Sequence, residues 1–160
     1  MLDLVFSVTL LLSGALSPST GPCGLATSSE VERVLGGAAV EVPASEIGEE
    51  TAPGCLWASA SREVEIKLTI WSADELPVLG LKDARSYFAK LKAEFAAQDG
   101  IVALADVGEQ AFAADFTPMA TMKANGTIVV LKSGRVIVFE FSSVFARDAH
   151  GFAANVVGRI

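Results

Sequence analysis

The sequence predicts a single α+β domain, a largely antiparallel sheet flanked by helices, and three observations carry that prediction. Residues 63–70 alternate, with Val64, Ile66, Leu68 and Ile70 between Glu63, Glu65, Lys67 and Thr69. That is the period of a strand with one face buried and one face wet. Residues 127–141 set two β-branched and aromatic runs on either side of Ser133-Gly134, a tight-turn pair that joins antiparallel neighbours. Residues 82–100 repeat apolar side chains at Ala84, Tyr87, Phe88, Leu91 and Phe95, the spacing of an amphipathic helix.

In chain order, Leu4 to Leu16 is almost wholly apolar, and Pro18 and Gly21 follow it. This has the length of a signal-peptide core and is short for a membrane span. Residues 1–22 therefore read as a signal peptide and residues 23–160 as one domain. Ahead of the apolar run stands Asp3 with no Lys or Arg, so either the start lies upstream or the leader is weak. Thr27-Ser28-Ser29-Glu30 opens a helix, because a hydroxyl caps free backbone N–H groups and a carboxylate suits the positive end of the dipole. Leu25, Val31, Val34 and Leu35 supply its apolar face, and Gly36-Gly37 ends it. Residues 38–42 form a short strand closed by Pro43, and residues 44–54 an acidic, turn-rich loop.

Residues 56–60 pair with the alternating strand around Ser61-Arg62. Residues 72–81 form a loop holding Pro77 and Gly80. Asp83 caps the long helix and Gly100 stops it. A strand over 110–116 follows a turn at residues 106–108, and Asn125-Gly126 reads as another turn. In the last hairpin Val136 and Val138 share one face, while Ile137, Phe139 and Phe141 share the other. Strands apolar on both faces sit centrally, with both faces covered. Asp148 begins a C-terminal helix in which Phe152, Val156 and Ile160 recur every four residues.

Cys23 and Cys55 are the whole cysteine inventory of this 160-residue chain. An even count behind an export signal favours a disulfide, which would tie the loose start of the domain to the strand holding Trp57. A catalytic thiol is the sharper alternative; it needs a nearby base, and the C-x-x-C redox spacing is missing. Twelve basic against 19 acidic residues give a net charge of −7. Phosphate contacts need clustered Lys and Arg, so no nucleic-acid partner is expected. No second long apolar run follows the leader, so no membrane span is expected in the mature chain.

The strings PCGLATSSEVERVLGG and CLW, a long helix, DVGEQAF, the VVLKSGRVIVF hairpin and a short last helix together resemble a bacterial family. It comprises small secreted or lipoprotein domains of unknown function, typified in actinobacteria. Family members have Cys-Thr-Trp where this chain has Leu56 in the middle position. They have Gly-Leu-Gly-Asp where it reads Asp106-Val107-Gly108-Glu109, and this chain lacks their lipid-attachment box. The resemblance implies a PsbP-like antiparallel sheet flanked by helices and supports a Cys23–Cys55 bridge. It brings no catalytic residues.

Catalytic constellations are scarce. His150 is the single histidine, which excludes His-cluster metal sites, and it reads as a solvated residue at a helix start. There is no G-x-S-x-G elbow, Walker loop or dinucleotide fingerprint, so no cofactor is expected. Glu49-Glu50 and Asp74-Glu75 read as solvated loop charges. Asp99, Asp106 and Glu109 do not match a calcium loop. Asn125-Gly126-Thr127 fits a glycosylation acceptor, which a bacterium would leave unmodified.

Two surfaces stand out. The loop over 71–80 carries Trp71, Leu76, Val78 and Leu79, which either pack beneath it or form a contact patch. The segment 117–124 carries Met119 and Met122, an adaptable pair. The reading that follows is an exported bacterial domain, periplasmic or extracellular, without enzymatic activity, that binds a protein or a cell-envelope component. Its alternatives are a small-ligand carrier and a small periplasmic hydrolase using a serine with His150.

Overall fold

The computed structural model describes residues 21–42, 52–98, 100–116 and 121–160. The signal-peptide core, Glu49-Glu50, Asp99 and Met119 lie outside the described residues. A 3-10 turn over Pro22–Leu25 leads into helix α1, Ser28–Leu35. Thr27 and Glu30 form a capping box: the Thr27 hydroxyl accepts from the Glu30 N–H at 3.3 Å, and the Glu30 carboxylate accepts from the Thr27 N–H at 2.9 Å. Two of the helix's orphan donors are thereby satisfied reciprocally. Gly36, at φ 77°, closes the helix in the left-handed conformation, which glycine adopts without steric cost.

Seven strands follow among the described residues. They are β1 (Ala39–Val42), β2 (Gly54–Ser59), β3 (Glu65–Trp71), β4 (Ile101–Leu104), β5 (Gln110–Ala114), β6 (Lys123–Lys132) and β7 (Arg135–Phe145). Helix α2 (Ala84–Gln98) lies between β3 and β4, and helix α3 (Ala146–Val157) follows β7 directly. The sheet order is β1-β2-β3-β7-β6-β5-β4, antiparallel throughout. The predicted fold class holds, and so does the central place of the last hairpin.

Both faces of that hairpin are covered. Ile137, Phe139 and Phe141 join Val31, Val34 and Leu35 of α1 and Phe152 and Val156 of α3 in one core. Val136, Val129 and Leu131 meet Phe88 of α2 and Phe112 of β5 in a second core across the sheet. In the first core the Phe152 ring stands T-shaped to Trp57, Phe139 and Phe141, with ring centroids 5.9, 6.1 and 6.3 Å away. Edge-to-face contacts of this kind are the favoured aromatic geometry. The Lys132 ammonium caps the end of α3 by donating to the Val157 carbonyl at 2.5 Å, where the helix dipole favours a cation.

Several elements differ from the sequence reading. Asn125-Gly126 is not a turn: β6 already runs through it, with an irregularity between Ala124 and Gly126. The Asn125 Oδ1 accepts from the Ser143 N–H at 2.9 Å. A Cβ on Gly126 would stand 2.4 Å from the Phe116 ring, so the glycine is required by that close approach. Thr69 is buried rather than wet, because it pairs with Val138 on the face that α2 covers. Residues 101–104, given no element from sequence, pair with β5 as an edge strand. Helix α3 begins at Ala146 rather than Asp148 and ends at Val157, short of Ile160.

Candidate functional site

Where β3 ends, the chain makes a turn fixed by its own side chains. The Glu75 Oε2 accepts from the Ser72 N–H at 2.8 Å and from the Ser72 hydroxyl. The Glu75 and Leu76 N–H groups both reach the Ser72 carbonyl at 3.2 Å. The Glu75 carboxylate thus closes a Ser72-x-x-Glu75 turn by taking both Ser72 donors, and this turn leads into a 3-10 turn, Leu76–Leu79. Gly80, at φ 70°, ends the turn. The Ser72 bonds hold the Glu75 carboxyl below its ordinary range.

Leu76 does not belong to a contact patch. Its side chain is fully buried and packs in the second core beside Phe88 and Phe112, which pins the turn to the sheet. Trp71 is half-buried, its ring T-shaped to Tyr87 of α2 with centroids 5.4 Å apart. Val78 and Leu79 point outward, 68% and 38% exposed. The four apolar residues of this loop therefore divide into an anchor, a flank and an exposed pair. Asp74 is exposed, as a solvated loop charge should be, but Glu75 is half-buried and structural.

Beside this turn lies a cleft of about 290 Å³. Pro22, Leu25, Pro53 and Ile70 supply apolar walls, and Ser72, Glu75 and Arg135 supply polar ones. The sheet brings them together: Ile70 pairs with Ile137 and Trp71 with Val136, so the end of β3 and the start of β7 lie side by side. The N-terminal 3-10 turn forms the opposite wall, and the disulfide holds it there. Cys23 and Cys55 are bonded, with Cα atoms 5.1 Å apart. Both cysteines are consumed in that bridge, so the reactive-thiol alternative falls. Glu41 brings a carboxylate oxygen within 4.8 Å of the two sulfurs. A bonded pair of sulfurs offers no thiolate to a metal.

Comparison with family models, curated proteins and solved structures finds no match for this chain. Its chemistry rests on its own residues.

His150 is not the solvated helix-start residue that its neighbours imply. It stands in the second turn of α3, half-buried, with its Nε2 buried and without a hydrogen-bond partner. Around it are Leu104, Ala113, Phe116, Ile128 and Ala146. No serine or carboxylate hydrogen-bonds to it among the described residues. Met122 is 75% exposed, at the start of β6 and not in the cleft. Among the described residues, no helix is long and apolar enough to cross a membrane.

Sequence reasoning missed Ser72, Glu75 and Arg135. The first two carried a usable signal, the Ser-x-x-Glu spacing. Arg135 carried none, because only the pairing of β7 with β3 places it at the cleft.

Proposed function

We propose that this chain is an exported bacterial binding domain without enzymatic activity, of the small secreted or lipoprotein type it resembles. It engages a protein partner through the turn at residues 77–80. One observation carries this: Val78 and Leu79 are held outward on a turn that Leu76 anchors in the core and Glu75 ties to Ser72. Apolar side chains on a rigid turn lose little entropy on docking, which is what makes a small contact effective. The Cys23–Cys55 bridge fits an oxidising compartment, and the acidic balance fits a soluble domain with a protein partner rather than nucleic acid.

The test is site-specific photocrosslinking from exposed position 74, beside the patch, in the native cell envelope, with the captured protein identified by mass. A single reproducible partner, lost when Val78→Asp and Leu79→Asp are combined in a protein of unchanged circular dichroism, is expected. A crosslink that survives the double substitution, or none at all, would sink the proposal. The adjacent cleft favours a second reading, small-ligand carriage, because it joins apolar walls to opposite charges in a space of ligand size.

A further inference from the structure

The cleft beside the turn at 72–75 is lined by residues of both charge signs. Its polar wall holds one cation, the guanidinium of Arg135, and one anion, the carboxylate of Glu75. Among the described residues, Arg135 makes no salt bridge. Hydrogen bonds from Ser72 are the main reason that the Glu75 carboxyl is lowered, and the charge of Arg135 adds the least. Both Ser72 bonds fall on a single oxygen of Glu75, Oε2. A carboxylate has about four acceptor positions, so Ser72 orients the group and leaves it capacity for another donor. The rest of the lining is Gly21 and the apolar Pro22, Leu25, Pro53 and Ile70.

We propose that this cleft binds a zwitterion with an apolar body, of amino-acid to dipeptide size, its carboxylate on Arg135 and its ammonium on Glu75. The inference rests on the ligand-carriage reading and sharpens it to one chemical class. Charge complementarity selects that class. A simple anion would meet the Glu75 carboxylate, and a simple cation would meet the guanidinium. A molecule carrying both charges satisfies each. A planar guanidinium grips a carboxylate with two parallel bonds, and Ser72 holds the opposing carboxylate in place before any ligand arrives. The apolar walls take the side chain, and about 290 Å³ is at the small end for ligand pockets. Arg135, Glu75 and Ser72 lie within the domain itself, whereas Gly21 and Pro22, the last residues of the expected leader, complete the apolar wall in the full-length chain.

The experiment is titration of the full-length protein, followed by isothermal calorimetry and backbone amide shifts, with four probes. L-leucine and leucyl-leucine carry both charges; 4-methylpentanoate keeps only the carboxylate, and isopentylamine only the ammonium. At least one zwitterion is expected to bind, shifting the amides of Ile70, Ser72 and Arg135, with each single-charge probe about tenfold weaker or worse. Arg135→Gln and Glu75→Gln should each weaken that zwitterion by a similar factor. Gln at position 75 keeps an acceptor for Ser72, and unchanged thermal unfolding would show the turn intact. If 4-methylpentanoate or isopentylamine binds as well as leucine, the cleft carries ligands but the zwitterion assignment is wrong. If none of the four binds at millimolar concentration, ligand carriage and the zwitterion assignment fall together.

Discussion

At the scale of single residues, Glu30 does more than close a helix. Its Oε2 accepts from the Thr27 N–H and hydroxyl, at 2.9 and 2.8 Å, and its Oε1 accepts from Arg159 at 2.6 Å. Arg159 also donates to the Leu25 carbonyl at 2.8 Å. One carboxylate thus joins the N-terminal turn, the start of α1 and the end of the chain. The Arg159 bond is the main reason that its carboxyl is lowered to about 2, with the Thr27 bonds adding to it against partial burial. When the chain unfolds, the group returns to its ordinary 4.5. The stabilisation is therefore complete above that value and is lost as the pH falls from 4.5 towards 2. Glu30→Gln should cost roughly 1–2 kcal/mol at neutral pH, a figure discounted because Arg159 is partly exposed. Urea titrations of both proteins across this range check it. The gap between them should narrow as the pH drops below 4.5; a gap that is constant with pH would mean that the pair contributes nothing through charge.

At the scale of elements, local signals were legible wherever they completed a local structure. The Thr27–Glu30 capping box, the Ser133-Gly134 hairpin and the amphipathic stripe of α2 each satisfy their own hydrogen bonds or pack one face, and each reads directly from spacing. What escaped is set from a distance. Asn125-Gly126 looks like a turn, yet Phe116 packs on the glycine and Ser143 occupies the asparagine, so the strand continues through it. Residues 101–104 are too few to show a period, and only pairing with β5 makes them a strand. The same division runs through the site. Ser72 and Glu75 are close in sequence and could have been found there; Arg135 is brought in by strand register alone. The N-terminal turn belongs to the distant class as well, since the bridge to Cys55 holds it 32 residues away. Replacing Cys23 and Cys55 together by Ala should lower stability by roughly 3 kcal/mol on the chain-entropy account. Amide exchange should quicken most over 22–35, the wall of the cleft and the helix it leads into. Uniform quickening across the sheet instead would show that the bridge stabilises the whole fold and not that wall.

For the whole molecule, the sheet separates two cores that share strands but not side chains. Alternation along β6 and β7 sends Ile128, Val130, Ile137 and Phe139 to α1 and α3, and Val129, Leu131 and Val136 to α2. Phe152 and Phe88 belong to different cores on opposite faces of the sheet, and mutations at separate sites without shared partners add. The cleft and the exposed turn sit at one end of the β3–β7 pair, where the two cores come together: Leu76 belongs to the α2 core, whereas Leu25 and Ile70 pack against the other. A binding site built across that boundary stays rigid only if each core is sound independently. Phe152→Leu and Phe88→Leu should each cost about 1–2 kcal/mol, as partial truncations of buried rings do. The double variant should lose their sum to within about 0.5 kcal/mol. Equilibrium urea unfolding of the four proteins, with m-values compared, measures the coupling. A coupling above about 1 kcal/mol would mean that strain passes through the central strands, and that a ligand or partner at the edge would be felt in both cores at once. Additivity would mean that the sheet insulates them, so that the turn at 72–80 depends on the α2 core that holds Leu76.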